Sequence, residues 1–164
     1  MDNHRIGFTY HVEHLGRDGS VLAVERVHNI IPTVGLNYFL STALAGGSAF
    51  TSWYLGLFEA QRTPLAGDTM TSLIADCDEV ISYTQTTGRQ SVTFGSVSGG
   101  SIDTTASPNV FVFPTGATVR GAFITTTPGL GGTTGLLLSA GLFNVTKTLD
   151  AGESLRVPAG FDFY

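Results

Sequence analysis

From Ile6 onward the chain alternates: in IGFTYHVEHL, residues 6–15, Phe8, Tyr10 and Val12 share one face, and Thr9, His11 and Glu13 share the other. That is the period-two pattern of a half-buried strand. GRDG at 16–19 is turn chemistry and VLAVERVHNII returns as a second strand, so residues 1–31 are expected to form an N-terminal β-hairpin arm. The period then changes. Leu36, Phe39, Leu40, Ala43 and Leu44 form an apolar stripe at helical spacing over residues 33–46, with Thr33 as N-cap and Gly46-Gly47 as the stop. The other side of this helix carries Asn37, Ser41 and Thr42, so the stripe reads as a lid over a core and not as a helix that reads bases.

Past the two glycines the period returns to two. Trp53, Leu55 and Leu57 alternate with Tyr54, Gly56 and Phe58. TPLAGDTM at 63–70 reads as a loop with room for a short helical turn begun by Asp68. Further strands are expected at 79–85, 90–97, 109–114, 117–126, 134–143 and 153–158, with FDFY as a terminal strand and a tight turn from Pro158 to Gly160. Their separators (TTG, SGGS, PTG, TPGLGGT, DAG) are turn-forming. Short strands at this spacing, rich in Val, Phe, Thr and Tyr, define an all-β class. The expected fold is a jelly-roll-like antiparallel β-sandwich over residues 51–164, with the hairpin arm and one short α-helix, in a single domain 1–164.

Composition narrows the function. At 164 residues the chain is long enough to bury roughly 70% of its unfolded surface, and so to build a core without staples. Cys77 is the sole cysteine, which excludes an intramolecular disulfide and a cysteine-based zinc site. The N-terminal stretch MDNHRIGFTYHVEH has no apolar signal region. The longest apolar stretch, residues 135–143, falls short of the roughly 20 residues that span a bilayer, so no membrane partner is expected. The net charge is −5 and the eight basic residues are scattered, which leaves no phosphate-binding face and no nucleic-acid partner. Charged residues make up 13% of the chain against about 25% in ordinary soluble proteins, and between Thr104 and Leu149 only Arg120 and Lys147 carry charge. Such a stretch faces a core, another chain, or a surface made polar by the 22 threonines together with Ser and Gly.

No catalytic constellation assembles from these residues. All four histidines lie in the N-terminal arm, and on a strand His11 and His14 point to opposite faces, so a metal site with Glu13, Glu25 and His28 is not expected. A cupin-type enzyme would need such a set on the barrel strands. Asp76, Asp78 and Glu79 lack the oxygen-ligand spacing of a calcium loop and read as a solvated turn. GLGGTTG at 129–135 lacks the ending of a phosphate-binding loop. The acids Glu59, Asp103, Asp150 and Glu153 form no recognisable glycosidase pair. The expectation is a protein that is not an enzyme and takes neither metal nor cofactor.

Four blocks, VERVHNIIPTVGLNYFLSTAL, WYLGLFEAQRTPLAGDTM, RGAFITTTPGLGGTTGLLLSAGLF and LDAGESLRVPAGFDF, run in order from residue 24 to 163. In these the chain resembles a family of small bacteriophage virion proteins found beside the major capsid gene of short-tailed phages, the head decoration or cement proteins. The resemblance implies a jelly-roll protein made in the host cytoplasm and assembled on the outside of an icosahedral head. There it would bridge neighbouring subunits of the major capsid protein, its partner along with a second copy of itself, as a homodimer or, alternatively, a trimer. No catalytic residues come with the family. On this basis the hairpin residues Arg5, Tyr10, His14, Arg17, Arg26 and His28 are the candidates for partner binding, and removing residues 1–31 is expected to abolish particle binding while leaving a folded β-domain. The alternative is a receptor- or carbohydrate-binding tip of a phage tail fibre, although the chain has no shaft repeats.

Overall fold

A computed structural model describes residues 6–84 and 87–163, without the side chains of Asp162 and Phe163. Ten strands and two helices follow one another: β1 (Ile6–Leu15), β2 (Val21–His28), α1 (Thr33–Leu44), β3 (Trp53–Phe58), α2 (Met70–Cys77), β4 (Gln90–Val92), β5 (Ile102–Asp103), β6 (Asn109–Val112), β7 (Ala117–Thr125), β8 (Leu137–Leu149), β9 (Ser154–Val157) and β10 (Ala159–Phe163). They form an all-β sandwich of two antiparallel sheets, one of six strands and one in the order β4-β3-β7-β8.

β1 lies at the centre of the larger sheet. It pairs along residues 9–15 with β2 on one side. On the other side it pairs along 6–10 with β10 and along 13–15 with β9. β9 and β10 thus run end to end as one line along β1. Pro158, which has no N–H to give to a ladder, marks the break between them, and the His11 N–H bridges it by donating to the Pro158 carbonyl at 2.9 Å. The tight turn expected at Pro158–Gly160 is therefore corrected to an interruption within one extended strand. β9 also pairs with β6, and β10 with β5.

This pairing corrects the expectation of a separate arm. Phe8, Tyr10 and Val12, the apolar side of the β1 alternation, are buried in the same core as Leu55 and Leu57 of β3, Ile124 of β7, Leu138 of β8 and Leu155 of β9. The hairpin supplies two of the six strands of the larger sheet, so its removal would strip β9 and β10 of their ladder partner β1.

The two helices differ from the expectation and from each other. α1 begins at Thr33 with Pro32 in the cap position and no side-chain cap, so Thr33 does not serve as N-cap. It ends where Gly46 takes a φ of 68°, a left-handed conformation suited to glycine. Its one buried residue is Gly35, which lies so close to β8 that an added Cβ would stand 2.8 Å from the Leu138 carbonyl oxygen. Only part of the expected stripe meets the core: Phe39 is half-buried against it, whereas Leu36, Leu40 and Leu44 face outward, 45%, 57% and 80% exposed. α2 starts where the expected 63–70 loop ends, just past the helical turn expected at Asp68, and is a second helix beyond the one expected; it buries Met70, Leu73 and Cys77 in the second core cluster with Phe58 and Phe123. A capping box starts it, in which Thr69 accepts from the Ser72 N–H and Ser72 in turn accepts from the Thr69 N–H.

Of the remaining strand expectations, 90–97 shortens to β4 and 134–143 lengthens into β8, while residues 79–84 form only a single bridge, Phe58 to Glu79. Residues 85 and 86 lie outside the description.

Candidate partner-binding surface

The six residues chosen from the hairpin separate by depth. Tyr10 is wholly buried and is corrected from a contact residue to a core residue. Its ring fills the space between the sheets and its hydroxyl donates to Ser139 Oγ of β8 at 3.3 Å, the polar partner that a buried tyrosine needs. Burial pushes its phenol far above the ordinary range. His14, on the same side of β1, is half-buried at the rim and its Nε2 stands 2.8 Å from Glu153 Oε2. That carboxylate also accepts the Asp150 N–H at 2.8 Å, and this bond, followed by the one to His14, holds its pKa below the usual carboxylate value. His14 therefore ties β1 to the turn before β9. Arg17, Arg26 and His28 are exposed, and Arg5 lies outside the described residues.

The odd separation of His11 and His14 acts as expected, with His11 exposed on the outer face and His14 turned inward. Register places Arg26 opposite His11, His28 opposite Thr9 and Arg156 opposite Glu13, so one outward patch of β1, β2 and β9 carries mixed charge. Within it Arg156 Nε bonds Glu13 Oε2 and Thr9 Oγ1 meets His28 Nδ1 at 3.2 Å.

The sequence reading missed the apolar part of this surface. Val21, Leu22 and Val24 are exposed on β2, which among the described residues pairs only with β1. The far half of β2 is tied to the other sheet: the Asn144 side chain donates to the Arg26 carbonyl, and Glu25 accepts the Asn144 N–H and lies 2.6 Å from Lys147 Nζ. The near half, Val21–Val24, has no such cover. The run VLAV, apolar without alternation, was the available signal. A half-buried strand alternates, whereas this one is apolar on both sides and only partly covered.

Elsewhere two arginine–carboxylate pairs are absorbed into the fold. Arg89 and Glu79 form a buried pair with Nε–Oε1 at 2.6 Å and Nη2–Oε2 at 2.9 Å. Arg89 also donates to the Thr127 and Gly132 carbonyls, and Glu79 accepts the Gly131 N–H. The pair thus pins the 127–132 loop, and Glu79 is corrected from a solvated position to a buried one. Arg62 donates twice to Asp68, at 2.6 and 2.7 Å, and holds that carboxyl below its usual pKa. Burial raises the Cys77 thiol. Among the described residues no three His, Cys, Asp or Glu side chains converge as metal ligands, and no helix is long and apolar enough to cross a membrane.

A groove of about 530 Å³ is lined by Glu59, Ser82, Thr118, Thr148 and Asp150 among others. Its lining includes no aromatic ring on which a sugar could stack and no basic side chain for a phosphate. What the fold defines is a two-sheet β-sandwich protein with apolar surface outside its core. Neither a protein-family model nor a curated protein matches the chain.

Proposed function

We propose that this chain is a capsid cement protein, which binds the outer surface of an assembled bacteriophage head and stabilises contacts between neighbouring subunits of the major capsid protein. The observation that carries the reading is the placement of exposed apolar surface at the two ends of β1. Leu36 and Leu40 of α1 lie beside Ile6 at its start, and Val21, Leu22 and Val24 lie beside Leu15 and Glu13 at its end. Ten residues of strand separate them by about 30 Å, and the core between them is rigidly packed. A subunit with two apolar surfaces on one stiff strut has the form of a bridge. In this reading the edge of β2, with Arg17 and Arg26 beside it, meets the shell, and the chain also pairs with a second copy of itself.

Cementing needs no strong single contact. A subunit that binds only the assembled shell stabilises it by mass action, and many copies on a symmetric lattice add by avidity. The test is a protein count on purified particles of the encoding virus, with the same particles imaged by cryo-electron microscopy. Hundreds of copies as regular protrusions on the head would support the reading. A few copies at the tail would replace it with a receptor-binding tip, and absence from the particle would refute both.

A further inference from the structure

The helix α1 carries its leucines on the wrong side for a monomer. Leu36, Leu40 and Leu44 stand four residues apart, which sets them in a single ridge about 12 Å long on a helix of about 18 Å. Asn37 and Ser41, both exposed, border this ridge with polar groups. Beside it lies a groove of about 270 Å³ lined only by Ile6, Ile31, Leu36, Phe39, Leu40 and Phe161, so ridge and groove share one face.

We propose that this face is where two copies of the chain meet, with α1 crossing its symmetry mate about a two-fold axis at Leu40. The inference rests on the self-association part of the reading above and places that contact on helix α1. Three observations select a second copy as the occupant. The spacing reads the same in both directions from Leu40, so a two-fold there sets Leu40 against itself and Leu36 against Leu44 of the other copy. The patch holds both a projection, Leu44, and an apolar groove, at Leu36, and an isologous contact requires both from one surface. The segment that carries α1 is also free of acidic and basic side chains: no Asp, Glu, Lys or Arg occurs between Arg26 and Glu59 in a chain of net charge −5. Two copies that repel elsewhere can approach here without like charges facing each other. Ridges of i, i+4 residues interdigitate at a crossing angle near −50°, the commonest helix packing, with the polar border left at the rim.

Sedimentation equilibrium of the full chain tests this. The expected result is a mass of twice 17.2 kDa at micromolar concentration for the native sequence and 17.2 kDa for Leu40→Glu, which faces two carboxylates across the axis. Leu40 is exposed, so the variant should melt like the native monomer, and a melting curve checks this. Leu40→Cys should close a disulfide to its own copy on mild oxidation without competition from buried Cys77. Leu44→Cys should instead link to Leu36→Cys in a mixed sample. A native chain that sediments as a monomer, or a dimer that Leu40→Glu leaves intact, overturns the inference. Head binding is measured separately. Decoration of heads by a monomeric chain would sink this inference alone, and a Leu40-dependent dimer that ignores heads would sink the cement reading alone.

Discussion

The two helices are built from similar residues and behave in opposite ways. α2 has eight residues, a capping box and three buried side chains, Met70, Leu73 and Cys77. α1 has twelve residues, no side-chain cap and one buried residue, a glycine. α2 is held by what it buries, whereas α1 is held by how closely it approaches, through Gly35 against β8 and the rings of Tyr38 and Phe39 at its flank. Tyr38 packs edge-on against Trp53 with centroids 5.5 Å apart, and Phe39 lies 5.3 Å from Phe161. An apolar stripe at helical spacing therefore shows that a helix will form, while the side it covers depends on where the chain allows close contact.

The sharpest way to break this comparison starts just after α2. Glu79→Ala leaves the Arg89 guanidinium buried without its partner, so a loss of about 3–5 kcal/mol is expected, read as a shift in urea midpoint at constant slope. Leu73→Ala should cost about 2–5 kcal/mol through the cavity it opens. Leu40→Ala, measured on dilute monomer, should stay within about 0.5 kcal/mol. Equal losses for the two leucines would mean that the α1 ridge is covered within one chain. Gly35→Ala places a Cβ against backbone oxygens that have nowhere to move. It should cost about 1–3 kcal/mol and lift α1, seen as lost near-ultraviolet dichroism from Tyr38 and Trp53.

Smaller effects sharpen the contrast at the helix starts. Thr69→Ala removes a cap and should cost about 1 kcal/mol, and Thr33→Ala, with no cap to lose, should change little. The Arg62–Asp68 pair ahead of α2 adds a pH dependence. The folded carboxyl has the lower pKa, so the folded state favours the charged form. The resulting stability is complete above the unfolded aspartate value of about 3.9 and fades as pH falls through the folded value. Asp68→Asn should flatten this acid limb of the stability profile while lowering stability at neutral pH, and an unchanged acid limb would assign the loss to other carboxylates.

The sheets were legible because half-buried strands announce themselves. β1, β3 and β7 alternate or run apolar within one or two residues of their true ends, since each has one face on the core. Order along the chain did not reveal which strands are central. Tyr10 was placed on an arm because its sheet neighbours β9 and β10 arrive about 150 residues later, and periodicity carries no information on partners. α2 was hidden by brevity and by a start, Gly67-Asp68-Thr69, that serves a loop equally well. The Arg89–Glu79 pair left no trace in the sequence: the two residues lie ten apart across a turn, at no repeating interval. Of the residues named for partner binding, Arg17, Arg26 and His28 lie exposed, and the exposed Val21, Leu22 and Val24 beside them were overlooked because apolar residues in a strand are first assigned to a core.

The burial of Lys147 against Glu25 has a practical side. It is the one lysine in the chain, and only 4% of it is exposed. Reagents that attack primary amines, whether fluorescent esters or lysine-directed crosslinkers, will find no lysine to modify while the sandwich is closed. Side-chain mapping of its neighbours on an assembled particle can instead go through carboxylates, of which Asp18 and Glu59 are exposed. For the same reason the appearance of label on Lys147 would report that β2 has parted from β8.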